Sequence, residues 1–219
     1  MNPLVDATEM YLRTIWELQE EGITPLRARL VERLGVSAPS VSETVARLAD
    51  EGLVAISANR RLELTDEGRR IAVSVMRKHR LVERLLTDVV ELDWEHVHVE
   101  ACRWEHVIST RVENRLVRLL ERPARDPHGN PIPGLGEGPT RATLRTLPEA
   151  VDYGSVRIER ISEHLQGDVV LMAELRAAGA TPGEEVTVTA GPDGLTATGT
   201  GGAVTIDRDR AALVYVLER

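Results

Sequence analysis

The sequence predicts a chain that is mainly α over its N-terminal two-thirds and ends in a small C-terminal all-β barrel. Three observations carry that reading. Apolar residues recur at helical spacing through the first part of the chain, residues 123–148 then hold six prolines and four glycines, and short β-rich runs separated by glycines follow. The Pro-rich stretch reads as a linker or a docked irregular segment.

Residues 25–34 place Leu26, Leu30, Val31 and Leu34 on one helical face; Gly35 stops that helix and Ser37 can cap the next. The second helix, about residues 38–51, turns Val41, Val45 and Leu48 inward and leaves Ser40, Ser42, Glu43 and Arg47 outside, with Gly52 closing it. Two short strands, 53–56 and 62–64, flank the basic segment 57–61. Helix, turn, helix and basic-tipped hairpin make a winged helix-turn-helix, whose second helix would enter the DNA major groove. A long helix is expected from a cap at Thr65 to about Thr87 and another from Asp93 to about Ser109. A third is opened by a capping box, Thr110 to Glu113, and ends at Pro123. Their aliphatic faces read as an interaction or dimerisation module. Residues 155–161, 186–190, 195–199, 203–206 and 213–218 are the strand candidates, with one helical piece near 168–178.

Composition narrows the function classes. The 219 residues carry 27 basic and 35 acidic side chains, a formal charge of −8, with one cysteine and no phenylalanine. A single cysteine excludes a disulfide framework or a four-cysteine zinc fold and fits a reducing cytosol. No 18-residue apolar run and no charged-then-apolar leader is present, so neither a membrane span nor a signal peptide is expected. Six aromatic residues leave the cores to aliphatic side chains. A net acidic chain is not a constitutive nucleic-acid coat protein. Any DNA contact must come from a local patch: Arg27, Arg29, Arg33, Arg47, Arg60 and Arg61, opposed by Glu32 and Glu43.

Four of the six histidines and the only cysteine lie between residues 79 and 106. His79 and Glu83 are i, i+4 on one expected helix. On the next, His98, Cys102, Glu105 and His106 fall within an arc of about 100°. His98 to His106 is roughly 12 Å of helical rise, too long for one ion bound at about 2.1 Å per ligand. The simplest arrangement is two sites. His98 joins His79 and Glu83 across the helix pair, while Cys102, Glu105 and His106 form a mixed N/O/S site suited to Fe2+, Co2+, Ni2+ or Zn2+ rather than Mg2+ or Ca2+. A lone His-x-x-x-Glu is ordinarily a solvated face and a lone cysteine ordinarily core packing; two adjacent helices presenting such residues at facing spacing favour metal. His96 lies off the arc, and His128 and His164 read as surface residues. Two divalent ions per chain would move the charge from −8 to about −4, or about −5 if Cys102 deprotonates to bind.

Residues 1–140 closely resemble the iron-dependent repressor family of actinobacteria, of the diphtheria toxin repressor and mycobacterial iron-dependent regulator type. The matching stretches are Leu4 to Ile15, Thr24 to Arg29, Met76 to Leu81, Glu100 to His106 and Gly129 to Leu135, with Ser162 to Asp168 as a weaker match in the barrel. The resemblance implies a winged helix-turn-helix DNA-binding domain over 1–73, a helical metal-binding and dimerisation domain over 74–140, and an SH3-like barrel over 141–219. It implies an ancillary site of His79, Glu83 and His98 with Glu163 and Gln166 donated by the barrel, and a primary, regulatory site of Met10, Cys102, Glu105 and His106. The implied protein is a cytoplasmic homodimer, two dimers to an operator, holding two Fe2+ per chain. In vitro Co2+, Ni2+, Mn2+ or Zn2+ could substitute. Fe2+ would act as co-repressor, favouring the DNA-competent conformation of a repressor of iron uptake, siderophore and iron storage genes.

The residues expected to meet double-stranded operator DNA are Arg27, Ala28, Ser37, Pro39, Ser42, Glu43, Arg47 and Arg60. Two positions depart from the family pattern: Glu43 stands where glutamine is usual, and Asp50 where arginine is common. A glutamate only accepts hydrogen bonds; it can read a cytosine amino group and repels phosphate. A manganese-responsive regulator of the same fold is the nearest rival, disfavoured by the sulfur of Met10 and Cys102. A metal-dependent hydrolase would need an open coordination position and a general base, as in His-Glu-x-x-His, which is absent. No enzyme activity, small-molecule substrate or membrane partner is expected. A winged-helix protein with a merely structural His/Glu cluster is the third reading.

Overall fold

The computed structural model describes residues 6–136 and 144–218. Leu4 and Val5 of the first matching stretch, Pro139, and the expected domain boundary at 140–141 lie outside the described residues.

The chain opens with α1 (Ala7–Glu20), capped by Asp6, whose carboxylate accepts from the backbone N–H of Thr8 at 2.8 Å. Its spacing sets Leu12, Ile15 and Leu18 on one buried face. α2 (Arg27–Leu34) ends at Gly35, which takes the left-handed conformation at φ 64°, and Ser37 caps α3 (Ala38–Asp50). β1 (Val54–Ile56) and β2 (Leu62–Leu64) pair antiparallel as the wing. Leu12, Ile15, Leu30, Val41, Leu48 and Leu62 close one aliphatic core, each contributing about 1.5–3 kcal/mol by burial. The recognition helix is therefore held rigidly by its inner face, with Ser42 and Glu43 left to solvent.

α4 (Asp66–Asp88) is capped by Thr65 and crosses from the wing into the helical layer. A Cβ on Gly68 would sit 2.0 Å from the Leu53 carbonyl oxygen, so only glycine lets this helix lie against the wing. The helix expected over 93–109 is shorter. A 3-10 turn, Trp94–His96, leads into α5 (Val97–Trp104), and Glu105 and His106 lie in the turn that follows. α6 (Thr110–Leu119) is capped by Ser109 rather than Thr110, and Glu113 is ion-paired with Arg77 at 2.9 Å instead of closing a capping box. It stops at Leu119, short of Pro123, because Glu121 and Arg122 already take positive φ.

The Pro-rich segment is docked where it is described. Arg125 bridges Pro131, and Asp126, His128, Asn130 and Ile132 are buried. This corrects the expectation that His128 is a surface residue: its carbonyl accepts from the Ile161 N–H at 2.9 Å, which draws it under the sheet. His96 and His164 are exposed.

The C-terminal part is a six-stranded antiparallel sheet in the order β3-β8-β4-β5-β6-β7, from β3 (Arg145–Thr146), β4 (Ser155–Ile161), β5 (Glu185–Gly191), β6 (Gly194–Gly199), β7 (Gly202–Ile206) and β8 (Val214–Glu218). α7 (Glu163–Gln166), α8 (Val169–Ala178) and α9 (Arg208–Ala211) interrupt the strands. Ile158, Met172, Leu175, Val186, Leu195 and Val216 lie in its core. The fold class read from the sequence thus holds: a helical N-terminal part followed by a small β domain. Among the described residues, no helix is long and apolar enough to cross a membrane.

Candidate metal centre and nucleic-acid face

α4 presents His79 and Glu83 one turn apart, both fully buried, and α5 presents His98 against them. His79 Nε2 lies 2.9 Å from Glu83 Oε1 and 3.1 Å from His98 Nδ1, and His98 Nδ1 lies 3.2 Å from the same carboxylate oxygen. Cys102, one turn along α5, has its sulfur 3.5 Å from His98 Nε2. His79, His98 and Cys102 offer ligand atoms all within 4.8 Å of one another.

Glu105 and His106 approach from the turn after α5. Glu105 Oε2 is 2.6 Å from His79 Nδ1, and His106 Nε2 is 3.1 Å from Glu105 Oε1. The structure therefore gathers all six residues into one connected cluster with His79 as the link, where helical spacing alone suggested two separated groups. Because α5 ends at Trp104, Glu105 and His106 do not continue along its axis.

α1 supplies the other wall. Arg13 donates from Nη1 to both oxygens of Glu105, at 2.7 and 2.6 Å, and to the Cys102 sulfur at 3.6 Å, while its Nε holds Glu17 at 2.6 Å. Glu9 is 2.6 Å from His106 Nδ1. Met10 is the partly buried neighbour of Glu9 on the same helix. Arg13 and Glu9 were not among the expected site residues; their contacts join segments some ninety residues apart, and no local spacing shows them.

Glu163 and Gln166, on α7, are buried. Glu163 accepts from Arg80 Nε at 2.8 Å, so its carboxylate is engaged with that guanidinium rather than with the histidines. Gln166 donates to the Ile161 carbonyl at 2.8 Å, leaving its Oε1 buried without a partner.

The electrostatics balance internally. Burial opposes the charge on His79, but Glu83 and Glu105 beside it hold the imidazole well above its ordinary pKa. Burial likewise works against His98, and the Cys102 thiolate outweighs it, raising His98 to about 9. His106 is raised to about 9 against partial burial by its bonds to Glu105 and Glu9. Burial would raise the Cys102 thiol, yet His98 and Arg13 bring it well below the usual thiol range. Arg13 and His79 do the same for Glu105 against its burial. Protons and one guanidinium thus supply the positive charge that this donor set requires. Imidazoles, a thiolate, carboxylates and a partnerless buried oxygen on Glu83 fit a borderline transition metal.

On the winged helix, Ala28, Ser37, Pro39, Ser42, Glu43, Arg47 and Arg60 are exposed and Arg27 partly so. Arg60 stands at the hairpin tip with φ 64°. Arg47 pairs with Glu51 at 2.8 Å and reaches Thr8 at 3.4 Å. Arg33 leaves the basic patch expected from sequence, because its guanidinium is turned inward onto Glu21. With Glu43 exposed mid-helix, Glu43→Gln is expected to tighten operator binding about tenfold, the effect of roughly 1.4 kcal/mol. A fluorescence anisotropy titration at fixed salt that shows weaker or unchanged binding would contradict this.

Fold and cluster together define a winged-helix protein whose DNA-reading module is fastened to a metal-competent helical layer. The chain belongs to the iron-dependent repressor family: residues 3–62 match the family's N-terminal DNA binding domain and residues 65–134 its metal binding and dimerisation domain. It is 53% identical over 203 residues to the iron-dependent repressor IdeR of Mycobacterium tuberculosis, covering 89% of this chain and 88% of that one. It is 50% identical over 226 residues to the diphtheria toxin repressor of Corynebacterium glutamicum, covering 99% and 98%. Among solved structures, a manganese-dependent transcriptional repressor in complex with manganese superposes with a TM-score of 0.81 at 32% identity, covering 97% of this chain and all of that one.

Proposed function

We propose that this chain is an Fe2+-activated transcriptional repressor that binds operator DNA as a homodimer and controls iron uptake, siderophore and iron storage genes. The observation that supports it is the seam between α1 and the helical layer. Arg13 to Glu105 and Glu9 to His106 tie the winged helix to the residues best suited to hold metal. In this reading Met10, Cys102, Glu105 and His106 hold the regulatory ion, and His79, Glu83 and His98, with Glu163 and Gln166, hold the ancillary one. Bound metal supplies positive charge and fixed ligand directions at that seam. Arg13 then has Glu17, on its own helix, as its remaining carboxylate partner, and the inclination of α1 follows the ligand turn. Metal and DNA thereby stabilise the same conformation, and each must tighten the binding of the other.

The division into 1–73, 74–140 and 141–219, a cytoplasmic location, two ions per chain and two dimers per operator belong to the same proposal. So does the absence of catalysis. Trp104, Val107, Val112 and Leu119 stand exposed on or beside α5 and α6 and give the dimer an apolar face. The likeness to a manganese-dependent repressor supports a second reading, a manganese-responsive regulator. The Cys102 thiolate favours Fe2+, since soft sulfur gains less from a hard ion. Anaerobic operator binding titrated with Fe2+ and with Mn2+ at matched free concentrations decides between them. Operator binding that survives a chelator unchanged would overturn both.

Metal ligation takes the neutral imidazole, whereas His79 is held well above its ordinary pKa and His98 and His106 are held up to about 9. Below that pH all three protons must leave, so affinity is expected to rise with pH and about three protons to be released per chain near neutrality. Calorimetry in buffers of different ionisation enthalpy measures that number; no proton release would contradict the ligand assignment.

A further inference from the structure

We infer that Arg111, Arg115 and Arg118 form a second DNA-contacting surface, a row of guanidinium groups on α6 that meets the sugar-phosphate backbone of the duplex held by the winged helix. The row presupposes the proposed binding of operator DNA and is independent of how the metals are held.

The inner face of α6 fixes the outer one. Leu116 and Val117 are buried with Leu81 and Ile132, and Glu113 is held by Arg77 at 2.9 Å. At 100° per residue the three arginines, at i, i+4 and i+7, fall within an arc of about 60° on the opposite side. The row climbs roughly 10 Å along the helix. Val112 and Leu119 stand at the edge of that arc, so the row borders the apolar face proposed for the dimer without belonging to it.

The charge of this row is unmatched. All three side chains are exposed, and none of their guanidinium groups has an ion-pair or hydrogen-bond partner among the described residues. Glu121 follows Arg118 by three residues but makes no ion pair with it, the chain having left the helix after Leu119. Elsewhere exposed arginines meet an acid one turn away, as Arg29 does Glu32, Arg47 does Glu51 and Arg70 does Glu67. Like charges at i, i+4 repel and destabilise a helix, and no acid offsets them here. In a chain of formal charge −8, three free cations in one row mark a surface complementary to a polyanion.

Two observations select duplex DNA over an acidic protein. The arc holds charge alone, whereas the core of a protein interface is depleted in charge and rich in apolar and aromatic contact. The row also starts close to the recognition helix. Arg47 of α3 reaches Thr8 at 3.4 Å, the next residue, Glu9, lies 2.6 Å from His106, and Ser109, the cap of α6, follows His106 by three residues. Those three residues span about 10 Å at most. Arg111 therefore leads the row towards the duplex. Phosphate contacts there also answer a deficit on the winged helix, where Arg33 is turned onto Glu21 and Arg29 and Arg47 carry their own acids.

Salt dependence tests this on the full-length protein. Co2+-loaded wild type selects a duplex from a random pool, and fluorescence anisotropy follows binding to that duplex as salt is raised. Each phosphate contact adds about 0.9 to the slope of log affinity against log salt. Glutamine keeps the helix propensity of these exposed positions. The triple variant Arg111→Gln, Arg115→Gln, Arg118→Gln is thus expected to lower the slope by about 2–3 and to weaken binding at low salt about tenfold or more. The ratio of selected to random-sequence affinity should not change, because phosphate contacts carry no base information. Removing three charges from the β domain, by Arg157→Gln, Arg176→Gln and Arg210→Gln, is expected to leave the slope as it is. A wild-type slope in the α6 variant overturns the inference, and so does an equal fall in both variants, which reports net charge alone. Poly-glutamate binding lost in the α6 variant beside an unchanged DNA slope would assign the row to an acidic protein instead. A wild type that selects no duplex overturns the operator reading, and the row with it.

Discussion

Chelation of metal from the operator-bound protein is expected to weaken DNA binding about 100-fold. The figure follows from population arithmetic. Moving a two-state equilibrium from 99:1 to 1:99 takes about 5.5 kcal/mol, and apparent affinity falls with the competent fraction. With the proposed two ions per chain, the four ions of a dimer would share that energy as about 1.4 kcal/mol each, only a tenfold preference of each ion for the DNA-competent state. Modest selectivity at each site is thus enough for a steep response. Cys102→Ser and Glu105→Gln are each expected to raise the Fe2+ concentration for half-maximal operator binding at least tenfold. They should leave the winged-helix core intact, since neither residue belongs to it. Anaerobic anisotropy titrations measure the shift, and wild-type Fe2+ dependence in both variants would reject the regulatory site as assigned.

The second large effect concerns Arg80, fully buried among the packed segments. Its guanidinium reaches Glu20 on α1 at 2.6 Å, Glu163 on α7 at 2.8 Å and the Pro131 carbonyl at 2.5 Å, and lies 5.0 Å from the centre of the Trp16 ring. One side chain of α4 thus fastens the winged helix, the Pro-rich turn and the β domain. Arg80→Met leaves Glu163 without its cation and Glu20 with only Arg160 at 3.5 Å, and is expected to destabilise the fold by about 3–5 kcal/mol. Arg80→Lys should rescue little, since an ammonium lacks the fork that meets two carboxylates and a carbonyl. Urea unfolding checks both, and a loss under about 1 kcal/mol in Arg80→Met would show the network to be weak. Burial pushes the Glu163 carboxyl up, but Arg80 prevails and holds it below its ordinary range. Its contribution is therefore present above the ordinary carboxylate pKa and lost as pH falls through the depressed value.

The winged helix was legible because its signals are local. Gly35, Ser37 and Gly52 punctuate the helices, and Leu30, Val41, Val45 and Leu48 fall at helical spacing. Five of the six strands of the β domain were legible for the same reason, each a short run bounded by glycine or a turn; β3, two residues long, carries no pattern and was not among the strand candidates. The metal-competent residues of α4 and α5 also showed themselves by spacing, but the contact of Glu105 with His79 that joins them did not. That depended on α5 ending at Trp104, and no glycine or proline marks the end. Arg13, Glu9 and Arg80 acquire their long-range partners only when distant segments pack together, a tertiary event without sequence periodicity. His128 was misread for a related cause. Its burial comes from backbone bonds to Ile161 and not from an apolar pattern, so a polar, Pro-rich stretch disguised an interior residue.

Arg13 gives the cluster a resident competitor. An incoming cation does not meet bare ligands, because a guanidinium tethered on α1 already holds Glu105 and Cys102 at an effective concentration no free ion matches. Apparent metal affinity is therefore set lower than the ligands alone would give, and the threshold of the response rises with it. The set point of such a sensor is written partly in a residue that binds no metal, and it can be tuned there without touching a single ligand.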